Sequence, residues 1–141
     1  MKKSILVLTA IITFSCGSTK EAEAKRPLYE MLIQKSYGGA KVKFFEVISL
    51  PEEFIMIKND PELKDKIKPN DIETANFLIL SSGEKNTGGY SIGIESVVEN
   101  DKNIIVTIKE TSPEPGGMVT MAFTTPYAVV RINSKKEIII K

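Results

Sequence analysis

The sequence predicts a mainly β domain of the α+β class, an antiparallel sandwich or open barrel of about eight short strands with one short helix. Two observations predict this class. From residue 75 onward, apolar and polar residues alternate with the period of a half-buried strand, and turn-forming residues separate these stretches. One stretch, residues 51–58, starts with a proline followed by two glutamates, which favours the first turn of a helix.

The predicted strands follow one another with short connections. Residues 76–81 form a continuous apolar run, which is typical of a strand covered on both faces. Val97 and Val98 interrupt the alternation of their strand and indicate a β-bulge. Short connections favour antiparallel pairing, mostly between sequence neighbours. The predicted strands are residues 29–36, 42–48, 76–81, 90–98, 104–109, 118–123, 127–132 and 137–141.

The remaining elements are one helix, one long loop and one edge. The predicted helix spans residues 51–58, and Phe54, Ile55 and Ile57 form its expected buried face. Residues 64–74 are charged and contain a proline, which predicts a loop. The last strand, residues 137–141, reads Glu-Ile-Ile-Ile-Lys, and flanking charges of this kind are typical of a sheet edge.

The N-terminal residues have the pattern of a bacterial secretory signal. Two lysines precede the uncharged residues 5–14, a run too short to span a membrane as a helix. Ser15 and Cys16 follow, and Cys16 is the sole cysteine of the chain. Thr13 occupies the position where the lipoprotein motif usually has leucine. We expect residues 1–15 to be a cleavable lipoprotein signal peptide and Cys16 to carry acyl chains such as palmitate.

The signal divides the chain into three parts. After residues 1–15, residues 16–26 lack large apolar side chains and predict a flexible tether behind lipidated Cys16. Residues 27–141 are long enough for one domain with its own core. We expect the mature protein in the cell envelope, lipid-anchored to the outer rather than the inner membrane. The alternative is a secreted protein with a free thiol at its N-terminus.

The missing residue types restrict the possible chemistry. The chain has no histidine and no second cysteine, so it lacks Ser-His-Asp and Cys-His mechanisms, disulfides and thiolate zinc sites. Any catalysis would use carboxylates, a Ser-Lys pair, tyrosine or a bound cofactor. The net charge of +1 lacks the basic excess of a nucleic-acid binder. We therefore expect a non-enzymatic binding module with no cofactor, no metal and no nucleic-acid partner.

Three motifs in residues 83–132 carry a family resemblance. They are Gly88-Gly89-Tyr90 at the start of a strand, a Pro/Gly loop at 113–117 and Thr124-Thr125-Pro126-Tyr127 before a late strand. This stretch resembles the PrcB C-terminal domain, a family found in protease-complex-stabilising lipoproteins and related exported proteins. The resemblance implies a β-rich domain that helps to hold a surface or envelope protease complex together, and it brings no catalytic residue. The family's helix often carries tryptophan, which this chain lacks.

The predicted contact surface for an exported protein partner, such as a protease, is a rigid loop and the segment after it. The residues are Pro113, Glu114, Pro115, Gly116, Gly117, Thr124, Thr125, Pro126 and Tyr127. Gly88, Gly89 and Tyr90 are expected to form a structural turn, in which glycine permits positive φ. Tyr90 and Tyr127 suit either a core or an interface, because each ring is apolar with a polar end.

Several alternatives remain open from the residues alone. One is an envelope hydrolase that uses two carboxylates, and another is a carrier of a small apolar molecule inside an open barrel. Two local motifs suggest a Ser-Lys nucleophile and a calcium loop, although both lie in predicted turns. The residues concerned are the acid pairs Asp65 with Asp71 and Glu110 with Glu114, the motif Ser82 with Lys85, and the cluster Glu99, Asn100 and Asp101.

Overall fold

The computed structural model describes residues 26–141. The predicted signal peptide, Cys16 and nearly all of the tether lie outside these residues. The described part is mainly β, with seven strands in two sheets and one α-helix. Its elements are β1 (Tyr29–Lys35), β2 (Lys43–Ile48), α1 (Pro51–Lys58), β3 (Asn76–Ser82), β4 (Ser91–Glu99), β5 (Asn103–Thr111), β6 (Tyr127–Ile132) and β7 (Glu137–Ile140). Within residues 26–141, no helix has the length and hydropathy needed to cross a bilayer.

Helix α1 begins and ends at the predicted residues. The Glu53 carboxylate accepts hydrogen bonds from the Ser49 and Leu50 amides at 3.1 and 3.2 Å, which satisfies two backbone donors at the start of the helix. Phe54 and Ile57 are buried, as predicted. Ile55 is 53% exposed, so its predicted burial is wrong. The helical rotation of about 100° per residue turns it away from the sheet.

The larger sheet has four antiparallel strands in the order β1-β6-β3-β2. Strand β3 lies in its interior, and its residues alternate between two covered faces, as the continuous apolar run predicts. β1 and β2 are consecutive in sequence but occupy opposite edges. Residues 36–42, which we call the crossing segment, therefore run past the ends of β6 and β3 to join these two edges.

The smaller sheet has three strands in the order β4-β5-β7. β4 and β5 form the predicted antiparallel hairpin, whereas β7 pairs parallel to β5. β7 lies at the edge of this sheet, as its charged ends predict. The Gln34 side-chain amide donates to the Ile92 carbonyl at 2.9 Å and links β1 of the larger sheet to β4 of the smaller one.

Two apolar cores separate three layers. The outer core packs α1 and residues 59–75 onto one face of the larger sheet, and Phe54 and Phe77 meet there with ring centroids 5.0 Å apart. The inner core fills the space between the two sheets. Its fully buried side chains are Leu78, Leu80, Ile92, Ile104, Val106, Ala128, Val130 and Ile132. The described strands therefore form a filled sandwich rather than a closed barrel.

Two β-bulges adjust which side chains enter these cores. In β1 the register shifts between Met31 and Ile33, so Leu32 and Ile33 both join the outer core although they are consecutive. In β4 the shift lies between Ile94 and Ser96. The bulge predicted from Val97 and Val98 therefore exists in the same strand, slightly closer to its start.

The structure corrects three predictions about the elements. Residues 118–123 form no strand, so the described strands number seven rather than about eight. Residues 64–74 are not an open loop: turns and a short 3-10 helix, Asp71–Glu73, place Ile67 and Ile72 in the outer core. Sequence neighbours also make up only two of the five described strand pairs, β2-β3 and β4-β5, because β6 lies between β1 and β3 and β7 adds beside β5.

Candidate protein-binding loop

The connection between β5 and β6 leaves the sandwich as an irregular loop, residues 112–123, which we call the Met loop. It lies against the connection between β3 and β4, residues 83–90, which we call the anchoring turn. The Gly88 amide donates to the Thr120 carbonyl at 2.9 Å, and Lys85 and Thr124 exchange two backbone hydrogen bonds of 2.8 and 2.9 Å. These bonds fix the base of the Met loop to the rigid sheets.

The predicted structural turn is the part of the anchoring turn that touches the Met loop. Gly89 has a φ of +87°, and a Cβ atom there would lie 2.8 Å from the Cβ of Pro113. A Cβ atom on Gly88 would lie 3.0 Å from the Thr120 hydroxyl oxygen. The two glycines thus permit the close approach of the two connections. Tyr90 is half-buried, with the Lys85 ammonium 5.5 Å from its ring centroid.

The tip of the Met loop is a tight turn. The Gly117 amide donates to the Glu114 carbonyl at 3.0 Å, with Pro115 and Gly116 between them. Gly116 has a φ of +79°, and proline followed by a positive-φ glycine is the residue pattern of a type II turn. Pro115 restricts the backbone further, so the exposed Glu114 projects into solvent from a conformationally restricted loop.

The Met loop also exposes large apolar side chains that the sequence analysis assigned to a strand. Met118 is fully exposed, Met121 is 85% exposed and Phe123 is 66% exposed. Single exposed apolar residues are ordinary on protein surfaces, but three within six positions form a patch. Methionine is flexible and polarisable and occurs often at protein-binding surfaces. A sequence signal was available, because Glu114 is the only charged residue between positions 112 and 125.

Thr125 joins the end of the Met loop to the crossing segment. Its amide donates to the Ser36 carbonyl at 2.9 Å, and its carbonyl accepts from the Gly39 amide at 3.0 Å. Its hydroxyl accepts from the Gly38 amide at 3.1 Å. This predicted binding residue is therefore engaged in holding the crossing segment across the sheet end.

The other residues of this segment are also packed against the scaffold. Thr124 is fully buried, and its hydroxyl donates to the Thr87 carbonyl at 2.8 Å. Pro126 is buried, and its carbonyl accepts from the Ser82 amide at 3.0 Å. Tyr127 is half-buried beside the outer core. The structure thus separates the predicted binding residues into an exposed tip, at positions 113–117, and a supporting joint, at positions 124–127.

The Ser-x-x-Lys motif has no Ser-Lys contact. Ser82 is buried at the end of β3, and its hydroxyl donates to the Glu110 carboxylate at 2.8 Å, while Lys43 forms a salt bridge with the same carboxylate. Lys85 instead lies over the ring of Tyr90. Burial acts to raise the Glu110 pKa, but the hydrogen bonds from Lys43 and Ser82 outweigh it and hold the pKa below its ordinary value. The ionised form of Glu110 is therefore favoured, and its role is to bind Lys43 and Ser82.

Lys136 binds one acid and one carbonyl of the hairpin between β4 and β5. The Lys136 ammonium lies 3.0 Å from the Glu99 carboxylate and donates to the Asn100 carbonyl at 2.7 Å. The Asn100 side chain accepts from the Lys102 and Asn103 amides, which closes an ordinary turn. A lysine thus supplies the cation among these oxygens. Across residues 26–141, no cluster of three or more His, Cys, Asp or Glu residues is arranged to hold a metal ion.

Asp71 is likewise held in an ion pair. Its carboxylate lies 2.5 Å from the Arg131 guanidinium and accepts from the Lys68 amide at 2.8 Å. Arg131 also reaches Glu30 at 3.3 Å and lies over the ring of Phe77. These contacts tie residues 59–75 to β6, so Asp71 holds the layers together. Asp65 and Glu114, the other members of the acid pairs, are exposed.

Comparison with known proteins identifies the segment that carries the loop. Residues 77–133 match the family model described as PrcB C-terminal. The match confirms, for this segment, the resemblance predicted from residues 83–132. It covers less than half of the chain, from β3 through β6, and includes both the anchoring turn and the Met loop. No curated protein and no solved structure matches the chain.

Proposed function

We propose that this protein is an exported, lipid-anchored and non-enzymatic binding module that contacts a protein partner through the Met loop. The partner is an exported protein, and a surface or envelope protease complex suits the PrcB C-terminal match of residues 77–133. In this proposal residues 1–15 direct export, Cys16 carries the lipid, and residues 16–26 let the domain reach its partner away from the bilayer.

The observation that carries the binding role is the exposure of Met118, Met121 and Phe123 on a loop with a fixed base. Exposed apolar side chains gain free energy when a partner covers them, at roughly 25 cal/mol per Å² of apolar surface. Anchoring by the buried Thr124 reduces the ordering cost that a flexible loop would incur. An apolar patch on a preordered loop therefore favours a protein contact.

The contacts of the candidate catalytic carboxylates support a non-enzymatic role. Glu110 is bound to Lys43 and Ser82, and Asp71 is bound to Arg131. A general acid needs a carboxyl with a raised pKa, whereas these contacts favour the ionised form of Glu110. The side chains of the inner core fill the space between the sheets, which disfavours an apolar ligand there.

The binding role is tested by replacing Met118, Met121 and Phe123 together with serine in the full chain. All three side chains are exposed, so the melting temperature should stay within a few degrees of wild type. Affinity capture from the native envelope should then lose the partner that wild type retains in stoichiometric amount. The matched control replaces Val42 and Val98, two other exposed apolar residues, with serine and should keep the partner. Capture by the triple variant at the wild-type level would overturn the proposed contact.

The anchor is tested separately by mass spectrometry of the mature N-terminus. We expect a first residue Cys16 with covalent acyl chains, and a Cys16→Ser variant should be released from the membrane fraction. An unmodified Cys16, or cleavage at another position, would contradict lipidation. Either result leaves the loop experiment interpretable, because capture depends on the domain and not on the anchor.

A further inference from the structure

The outer face of the larger sheet is covered at one end only. Helix α1 lies over the end that contains Phe77, while an apolar depression remains between the helix and the crossing segment. We call this depression the outer groove. Its lining includes Phe44, Met56, Asp60, Ile79, Tyr127 and Val129. It lies apart from the Met loop, none of whose residues line it.

The size and shape of the outer groove suit a single large side chain. Its volume is about 270 Å³. Pockets for whole drug-sized ligands are larger, from about 300 to 1,000 Å³ and more enclosed. The outer groove is open to solvent along one side, so a chain could lie along its rim with one side chain inserted.

The charges at one end of the outer groove favour a cation. Asp60 lines the groove, and its carboxylate accepts the Glu62 amide at 2.8 Å. Glu62 already has a cation, because its carboxylate lies 2.5 Å from the Lys35 ammonium. Among residues 26–141, Asp60 forms no salt bridge with a lysine or arginine. Lys35 also attracts Asp60, so two carboxylates share one ammonium here. The groove therefore combines an apolar floor with a net negative charge at this end.

Tyr127 gives the same end of the groove a polar wall. Burial raises the pKa of its hydroxyl, and the negative charges of Glu62 and Asp60 raise it further, against the opposing effect of Lys35. The hydroxyl therefore stays protonated at neutral pH. It adds a neutral hydrogen-bonding group, while the negative charge at this end comes from the carboxylates.

We infer that the outer groove binds an extended segment of a protein partner, with one aromatic or large aliphatic side chain inserted and an adjacent lysine or arginine paired with Asp60. The apolar floor at Ile79 and Val129 selects the inserted side chain, and the carboxylate selects the neighbouring charge. This adds a second contact surface to the proposed binding module. It needs neither the lipid anchor nor the Met loop.

Titration of the full chain with three short peptides tests this site by NMR chemical shifts. The probes are acetyl-Phe-Lys-amide, acetyl-Phe-Glu-amide and acetyl-Ala-Lys-amide. We expect saturable shifts at Ile79 and Met56 with the first probe and no saturable shifts with the third, which lacks the inserted ring. The second should bind up to roughly fivefold more weakly, the factor for a surface ion pair of about 1 kcal/mol. Equal shifts with all three probes, or shifts confined to other surfaces, would overturn the inference.

Two variants test whether the peptides bind in the outer groove. Asp60→Asn keeps an acceptor for the Glu62 amide but loses the charge, so it should remove the preference for lysine over glutamate. Ile79→Phe should fill the groove and weaken the first probe at least tenfold, whereas the control Ile139→Phe on β7 should not. A retained preference in Asp60→Asn, or unchanged binding to Ile79→Phe, would contradict the site.

Peptide binding at the outer groove can be tested separately from partner binding at the Met loop. The triple serine variant of Met118, Met121 and Phe123 should bind acetyl-Phe-Lys-amide as wild type does, because those residues do not line the outer groove. Loss of peptide binding in that variant would show that the two surfaces are not independent and would overturn the inference as stated.

Discussion

Gly39 is a residue whose role depends on space rather than on an unusual backbone angle. Its amide donates to the Thr125 carbonyl, and a Cβ atom there would lie 2.6 Å from that oxygen and 2.9 Å from the Cβ of Tyr127. Both obstacles lie on the backbone or next to it, so neither can rotate away. The crossing segment can pass over β6 this closely only because residue 39 lacks a side chain.

Gly39→Ala should therefore destabilise the fold by about 1–3 kcal/mol, the usual cost of overpacking. Urea denaturation of the purified variant measures this loss. Gly116→Ala is an informative comparison, because a Cβ there meets nothing within 4 Å and only the φ of +79° is unfavourable. A Gly39→Ala variant as stable as wild type would show that the crossing segment is not held against Thr125.

Glu110 makes stability depend on pH. Because its pKa in the folded state lies below the ordinary value of 4.5, ionised Glu110 stabilises the fold above that pH. This contribution disappears as the pH falls through the lowered pKa. Since the carboxylate is partly exposed, solvent screening limits the effect to below about 1 kcal/mol.

Glu110→Gln should accordingly be less stable than wild type at about pH 7, and the difference should be smaller at about pH 3, because it declines as the pH falls through the lowered pKa. The measurement is the free energy of unfolding of both proteins at the two pH values. Glu137→Gln, at an exposed glutamate on β7, is the control and should show no comparable loss at the higher pH. A Glu110→Gln difference of the same size at about pH 3 as at about pH 7 would mean that the carboxylate charge is not the cause.

For individual residues, the sequence predicts which positions need an unusual backbone conformation. It predicts less well which side chains form hydrogen bonds with one another. The Gly-Gly pair identified a turn, and Gly89 has the positive φ that such a turn requires. No local pattern, however, could show that Ser82 donates to Glu110, or that Lys136 lies among the hairpin oxygens. These contacts join residues far apart in sequence, and only the strand order brings them together.

Among the elements, residues 59–75 are the part that the sequence assigned least well. The segment is charged, which predicted a loop, but Leu63, Ile67 and Ile72 recur on one side and enter the outer core. Short turns replace a regular helix there, and Pro61 and Pro69 limit helical length. The segment is thus a core layer with a polar outer surface.

Ile67→Ala should test this layer. Removing a fully packed isoleucine side chain costs about 2–5 kcal/mol, whereas an exposed one costs little. The matched control is Ile55→Ala on the solvent face of α1, and the free energy of unfolding is the measurement. Equal small effects in the two variants would mean that residues 59–75 do not cover the sheet.

The strand predicted at residues 118–123 of the Met loop is absent for a physical reason. Its apolar residues recur at short intervals, but a strand also needs a free neighbour along its length. The loop meets the anchoring turn through one hydrogen bond at Thr120, and the isolated bridge at Thr124 follows directly after it, so no ladder forms. The same residues, freed from a sheet, become the exposed patch on which the proposed function depends.

For the whole molecule, composition and the periodicity of apolar residues predicted the fold class but not the order of the strands within the sheets. The strands of the sandwich were located to within a few residues, and helix α1 was located at its true ends. The placement of β6 between β1 and β3, and the parallel pairing of β7, depend on contacts across the chain that periodicity does not encode. The exposure of residues 113–117 follows from local turn residues, whereas the packing of residues 124–127 depends on contacts across the chain.

The family match covers the segment that contains the Met loop and the anchoring turn. Residues 77–133 contribute strands to both sheets and contain both connections that build the Met loop. The remaining described residues add the crossing segment, α1 and the outer layer, which fix the joint at Thr125 and form the outer groove. The segment that matches the family model is thus packed against further layers formed by the rest of the described chain.

Site-specific photo-crosslinking in the native envelope tests the central claim most directly. A photoreactive amino acid is placed at Met121 in the Met loop, and at Val98 as a control on an exposed strand residue. We predict one abundant adduct with a single exported protein from position 121 and none from position 98. No adduct from position 121, or the same adducts from both positions, would contradict the account of the Met loop as the partner-binding surface.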